Sequence, residues 1–267
     1  MGLAEVYADL ASAQRQLPDA ARILVWDIET RPASANIFDL KQRGWISPDK
    51  VTDPGGVLGV AAHWLGSPEV MWRADWHDGG HTAVIEWVWG LLDEATTTIT
   101  YNGDRFDARH MNREFVLAGL PRPKPSRSID LLKLVRKRFM FLSNRLDYVA
   151  GQLGIGRKIT HEGIGLWQAC VAGDPDAQHR MGAYAKQDVR LTADLYMRLL
   201  PWMDGSANMA LWSGSTIACS ACGSRDLEPD GWVSTAQTRY AVYRCNGCQA
   251  LTRTNFIRTR AVSRSPV

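Results

Sequence analysis

The chain has 267 residues, 45% hydrophobic and 22% charged, with a net charge of +3; that suffices for one large domain with a sizeable core and a small appendage. No low-complexity tract argues for disorder, and no apolar run approaches the roughly 20 residues of a membrane span. The charge is uneven: residues 1–216 hold 24 Lys and Arg against 25 Asp and Glu, whereas residues 217–267 hold seven Arg, no Lys and three acids, an excess that suits an anionic partner.

Residues 1–16 read as a short amphipathic helix ending before Leu17-Pro18. Acids stand where a secretion signal carries basic residues, so the expected location is the cytoplasm. Ile23-Leu24-Val25-Trp26 enters a strand with Asp27 and Glu29 at its end. Residues 57–65 and 69–73 predict two further strands around Gly66-Ser67-Pro68. Residues 81–92 have helical periodicity, Thr96–Tyr101 is strand-like, Asn102-Gly103 turns the chain, and 104–118 predicts a helix stopped by Gly119 and Pro121. After the proline-rich connection 121–128 the chain reads as almost entirely helical, over 130–139, 144–152, 162–172 and 176–201. Strands first and helices last predict an α/β domain with helices on a central sheet. The small, polar stretch 204–216 reads as a linker, which divides the chain into a main domain over 1–203, a cysteine-bearing module over 217–258 and a basic tail over 259–267.

Three acidic segments carry the chemistry. Asp27 and Glu29, two apart on a strand, leave by the same face, while Trp26 and Ile28 face the core. Such a pair fits a solvated strand end or a cation site. Asp107 lies in the first turn of a helix after a strand, where it can cap or favour the helix start or face a site at the sheet's end. Tyr184 and Asp188 are four apart and share a helix face. Asp188 lies near the apolar stripe and needs a cation, either a metal or a neighbour such as Lys186 or Arg190.

In order, V-W-D-I-E-T at 25–30, Y-N-G-D-R-F-D at 101–107 and Y-A-K-Q-D-V at 184–189 resemble the DEDD superfamily of 3′–5′ exonucleases, whose fold is ribonuclease H-like. Tyr184 resembles the tyrosine-bearing DEDDy branch, which includes the proofreading domains of B-family polymerases. The histidine-bearing branch would place its histidine at 183, where this chain has Ala183. The stretches 141–154 and 156–167 resemble small stand-alone exonucleases of the branch, often from phages, in which case the cytoplasm is that of a bacterial host. The resemblance covers residues 20–203. It implies a mixed central sheet flanked by helices and removal of nucleotides from 3′ ends, with single-stranded DNA favoured. An exoribonuclease on the same site and a non-catalytic adaptor are the alternatives. It also implies that Asp27 bridges two Mg²⁺ or Mn²⁺ ions, that Glu29 and Asp188 complete the first site and that Asp107 supports the second. Tyr184 is then expected to orient the attacking water. Thr30 and Phe106 flank the ligands and are expected at the terminal nucleotide. Asn144 suits a helix cap or a phosphate contact, and Lys158 and His161 suit a scissile-strand phosphate or a solvated loop. The basic run from Arg122 to Arg138 suits a strand path or a solvated face.

Cys219-x-x-Cys222 and Cys245-x-x-Cys248 have the spacing of two knuckles around one tetrahedral Zn²⁺, with two disulfides as the alternative that a reducing cytoplasm disfavours. Gly223 and Gly247 are expected to let the knuckles turn, and the segment 232–244 predicts a β-hairpin, making the module a zinc ribbon. Cys170 reads as a core residue. Tyr240 and Tyr243 interleave with Arg239 and Arg244, a pattern that suits nucleic acid or a protein surface. The expected partner is nucleic acid, DNA ahead of RNA, with room for a replication or repair protein and no membrane.

Overall fold

A computed structural model of the chain describes residues 21–38, 44–214 and 217–260. The helix expected over 1–16 and the tail beyond 260 lie outside the described residues. The chain separates into two compact units, Leu24–Asp194 and a second that takes in Leu195 onward.

The first unit begins with β1 (Ile23–Arg31), followed by two short strands, β2 (Ser34–Ala35) and β3 (Val51–Asp53), that pair with each other. β4 (Gly56–Trp64) and β5 (Met71–Ala74) come next, then α1 (Gly80–Glu94), β6 (Thr97–Thr100) and α2 (Asp107–Leu117). β7 (Arg127–Asp130), α3 (Leu131–Arg138), α4 (Leu146–Gln152), α5 (Ile164–Val171) and α6 (Pro175–Leu199) complete it. Five strands form one sheet in the order β5-β4-β1-β6-β7, antiparallel from β5 to β1 and parallel between β6 and β7. It is a mixed sheet flanked by helices, of ribonuclease H-like type. Among the described residues, no helix is long and apolar enough to cross a membrane.

Alternation along β1 divides two chemistries. Leu24, Trp26 and Ile28 join Val60 and Ala62 of β4 in a core closed by Val84, Ile85 and Val88 of α1 and Met111 and Phe115 of α2. On the other face, Asp27 and Glu29 lie opposite Ala61 and Gly59, and the Trp72 ring packs where a Cβ at Gly59 would stand. That face is covered by a second core in which Leu166 and Cys170 of α5 meet Ala177, Met181 and Tyr184 of α6.

β7 replaces part of the proline-rich connection expected over 121–128. Four residues, R-S-I-D, are too few to show alternation, and the strand forms because Arg127 to Asp130 pair in register with Thr97 to Thr100. Its last residue ties the sheet's end together: Asp130 Oδ1 accepts from Leu132 N at 3.0 Å, capping α3, and from Asn102 N at 2.8 Å. Asn102, at φ 73°, turns the chain out of β6.

In the second unit, β8 (Leu227–Ser234), β9 (Thr238–Cys245) and β10 (Leu251–Arg260) form an antiparallel sheet in the order β10-β9-β8, one strand more than the expected hairpin. Residues 206–213, read from sequence as part of a linker, attach to this unit. Met209 is buried, and Ser220 O accepts from Met209 N at 2.9 Å and Ser206 Oγ at 2.7 Å.

Gly103 follows the Asn102 turn, and a Cβ there would overlap the Thr100 side chain. Gly103→Ala is expected to lower stability by about 1–3 kcal/mol in urea unfolding, as overpacking does elsewhere. An unchanged midpoint and slope would show that the turn has room to spare.

Candidate active site

Asp27 and Glu29 stand on β1, and Asp188 meets them from the middle of α6. The three offer carboxylate oxygens that all lie within 4.8 Å of one another. Asp107 sits behind them at the start of α2, where its Oδ1 accepts from Ile28 N at 3.0 Å. That bond fixes the fourth acid to the strand carrying the first two. Asp107 is not a cap for its own helix; its oxygen serves β1.

Tyr184 lies one turn before Asp188 on α6, as their spacing dictates. Its hydroxyl accepts from Lys158 Nζ at 3.2 Å, and the same ammonium is 2.5 Å from Asp188 Oδ2. The cation beside Asp188 is therefore Lys158, from the loop before α5, in place of Lys186 or Arg190. Residues two apart on a helix point to different faces, so neither neighbour shares the face of Asp188. Asp147 holds the lysine loop by accepting from Lys158 N at 2.8 Å.

A groove of about 1070 Å³ opens over the acids, lined among others by Asp27, Tyr101, Arg136, Arg145, Tyr148 and Asp188. Asn144, Lys158, His161 and Tyr184 also line it. Asn144 does not cap α4, which begins two residues later; its carbonyl accepts from Tyr101 Oη at 2.7 Å, and its side-chain Oδ1 is buried without a hydrogen-bond partner. His161 Nδ1 accepts from Gly163 N at 3.0 Å, while its ring packs edge-on against Tyr184 and Trp167, each at 4.9 Å. Thr30 and Phe106 are not brought into the groove wall. The Phe106 ring stacks instead on His110 at 4.6 Å.

Two contributions escape a reading of the sequence. Trp167 Nε1 donates to Glu29 Oε2 at 3.2 Å, and its ring abuts His161 and Tyr184, so one residue of α5 orients both an acid and the tyrosine. A lone tryptophan in an apolar helix reads as core, and only the polar edge of its ring distinguishes it. Tyr101 joins the groove through the sheet's end, which spacing does not reveal, whereas Arg136 comes from the basic run offered as a strand path and lines the groove.

Residues 60–200, more than half the chain, match the profile of the RNase_H_2 family of the RNase_H superfamily. The chain belongs to the RNase_H superfamily. No curated protein sequence matches it. Among solved structures it is similar to the family B DNA polymerase from the hyperthermophilic archaeon Pyrobaculum calidifontis, with a TM-score of 0.52 and 19% identity over 68% of this chain. The likeness is one of fold, and it spans 25% of the polymerase chain.

In this RNase_H-superfamily chain the acids are electrostatically uncomfortable as they stand. Burial pushes the Asp27 carboxyl well above its ordinary range, and repulsion from Asp107, Glu29 and Asp188 adds to it. Burial and the Asp188 charge raise Glu29 to about 8, with Lys158 and Trp167 pulling the other way. Burial lifts Asp107 to about 6 against the Ile28 N–H that favours its anion. Asp188 is raised by burial too, opposed by Lys158. Among the described residues one ammonium, that of Lys158, contacts this group of four carboxyls, at Asp188, and Asp188 Oδ1 is buried with no hydrogen-bond partner. An all-oxygen donor set with surplus negative charge and an open lone pair fits a hard divalent cation such as Mg²⁺ or Mn²⁺.

The second unit holds the other metal-competent cluster. The Sγ atoms of Cys219, Cys222, Cys245 and Cys248 lie within 4.8 Å of one another. Cys219–Cys248 and Cys222–Cys245 are each separated by 3.6 Å, close to the edge of about 3.8 Å that four thiolates at tetrahedral zinc distances define. All five cysteines are free thiols, so the disulfide alternative is set aside; Cys170 is buried in the core beside α6. The two knuckles close alike, with Gly223 N donating to Cys219 O and Gln249 N to Cys245 O. Each closing residue is left-handed, Gly223 at φ 79° and Gln249 at φ 62°. The expectation for Gly247 is corrected accordingly: the demanding position follows the second cysteine and does not precede it.

A carboxyl whose pKa is higher folded than unfolded binds its proton more tightly when folded, so its contribution is complete below the ordinary carboxylate range and is lost as pH climbs. Without divalent ions the melting temperature should fall between about pH 5 and pH 8 by about 5 °C or more. Mg²⁺ or Mn²⁺ should restore it more at pH 8 than at pH 5. A flat profile with no metal response would contradict the electrostatic account. For the cysteine cluster, a strong zinc chelator should release one Zn²⁺ per chain and abolish protection of the β8–β10 amides from hydrogen exchange, since such modules draw their folding energy from the metal. Retained protection after metal loss would show that the sheet stands alone.

Proposed function

We propose that the chain is a divalent-metal-dependent 3′–5′ exonuclease of the tyrosine-bearing DEDD branch, of the stand-alone phage type, acting on single-stranded DNA. The observation that carries this is the convergence of Asp27, Glu29 and Asp188, of which Asp27 and Asp188 line a groove whose walls supply arginines, tyrosines and a histidine. The sequence resemblance is to the branch that includes B-family proofreading domains, and the structural likeness to a family B DNA polymerase supports it.

Asp27, Glu29 and Asp188 would hold the ions, with Asp107 supporting Asp27 from behind. When bound, paired Mg²⁺ or Mn²⁺ supply charge stabilisation and an acidified water for phosphodiester hydrolysis. Tyr184 does not act as a base: burial and the Asp188 charge raise its hydroxyl above the ordinary tyrosine value, so it serves as a hydrogen-bonding group that orients the nucleophile. Lys158 is also displaced upward; burial alone would lower it, and the Asp188 carboxylate beside it outweighs that. It stays an ammonium and places positive charge where a scissile phosphate arrives. Arg136 and Arg145 offer phosphate contacts, and Tyr101, Tyr148 and His161 offer faces for bases. In the ribbon, the Arg239 guanidinium lies 4.8 Å over the Trp232 ring and that of Arg253 lies 4.9 Å over Tyr240, a cationic, aromatic sheet that suits the same polyanion.

The test is an oligonucleotide labelled at either end and incubated with Mg²⁺ or Mn²⁺. A 5′ label should persist on a shrinking ladder, and a 3′ label should leave first as mononucleotide. Asp27→Ala should lower the rate by about two to three orders of magnitude, the scale of losing one preorganised group at the reacting centre. Tyr184→Phe should lower it by about tenfold while leaving Mn²⁺ affinity intact. A 5′ label released first would refute the polarity, and an active Asp27→Ala would refute the site. The same assay with RNA in place of DNA fixes the sugar.

A further inference from the structure

Between α3 and α4 the chain carries four apolar residues in a row, Phe139-Met140-Phe141-Leu142. They alternate. Phe139 and Phe141 are half-buried and stack on each other at 5.7 Å, whereas Met140 and Leu142 are 102% and 95% exposed. The two phenylalanines therefore brace the segment, and the two outward side chains contribute nothing to the core. Large apolar side chains held in water on a braced support point to a surface that something covers.

The surroundings say what covers it. The loop runs directly into Ser143, Asn144 and Arg145, which line the groove, and it leaves a helix whose Arg136 lines the same groove. Residues 131–146 carry Lys133, Arg136, Lys137, Arg138 and Arg145 and no acid. Two apolar side chains are far too few for a protein interface, which buries about 1,200 Å² or more, and a ring of cations suits a polyanion. Phosphates would meet the cations while the apolar tip meets bases.

We propose that Met140 and Leu142 form a wedge that unstacks the terminal base pair of a duplex and so delivers a frayed 3′ strand to the acids. The proposal rests on the reading of the groove as a nucleic-acid channel. Apolar side chains of this kind unstack base steps when charged neighbours hold the backbone. The wedge gives the groove a second substrate, the paired 3′ end, in addition to the free single strand.

The experiment uses the full chain without added Mg²⁺ or Mn²⁺ and without chelator, so that the cysteine module keeps its metal while no strand is cut, and a blunt duplex carrying 2-aminopurine at the 3′ terminus. At protein concentrations that saturate fluorescence anisotropy, the wild type should raise 2-aminopurine emission by about threefold as the base unstacks. Met140→Ser combined with Leu142→Ser should lose most of that rise at its own saturation, with an unchanged circular dichroism spectrum and melting temperature. With Mg²⁺ present, the ratio of duplex to single-strand degradation rates should fall by about tenfold in the double variant. No rise with the wild type, a full rise with the variant, or equal loss on both substrates overturns the wedge. Unstacking without cleavage of any substrate would instead sink the exonuclease reading and leave the wedge standing.

Discussion

Like charges confined under low dielectric govern this structure. Asp27, Glu29 and Asp188 hold their oxygens within 4.8 Å of one another, with Asp107 immediately behind, and among the described residues Lys158 alone sets an ammonium against Asp188. Burial makes each negative charge expensive and displaces all four carboxyls upward, and at Asp27 and Glu29 repulsion from the neighbouring acids adds to it. A fold tolerates such an arrangement only when the surrounding elements hold the groups in place and a cation completes them.

The scaffold does this from several directions. β1 is locked between β4 and β6, so its alternation fixes Asp27 and Glu29 on one face. The Ile28 amide pins Asp107 to the same strand, Asp130 pins the Asn102 turn that leads toward α2, and the indole of Trp167 orients Glu29. Asp188 arrives on the longest helix, where its backbone carbonyl accepts from Thr192 Oγ1 at 2.8 Å. Each acid thus has a strand or helix behind it, and Lys158 arrives on the loop before α5, which Asp147 holds. The ordered sequence of anchors turns three weak motifs into one constellation.

Much of this is legible in the sequence, and the failures have physical causes. The D-x-E alternation, the Asn-Gly turn and the i, i+4 pair on α6 follow from local geometry alone, so their placement on strand, turn and helix reads directly. β7 escapes because a four-residue strand exists through its pairing with β6 and shows no period of its own. The partner of Asp188 escapes because Lys158 is 30 residues away in the chain, and the helix neighbours that looked available point elsewhere. Asn144 resembles a cap by composition, yet the helix starts later and its carbonyl serves Tyr101. In the ribbon, composition favours Gly247, while backbone geometry places the strained turn at Gln249. Local rules find the elements; contacts across the fold decide which side chains share a site.

The decisive measurement is a crystal structure of the chain grown with Mn²⁺, collected above the manganese absorption edge. The account predicts anomalous density between Asp27, Glu29 and Asp188, within about 2.0–2.4 Å of oxygens from all three, the coordination distances of hard divalent cations. Its loss in crystals of Asp27→Ala should follow. Carboxylates that keep these positions with Lys158 as their only cation at saturating Mn²⁺ would contradict the central claim.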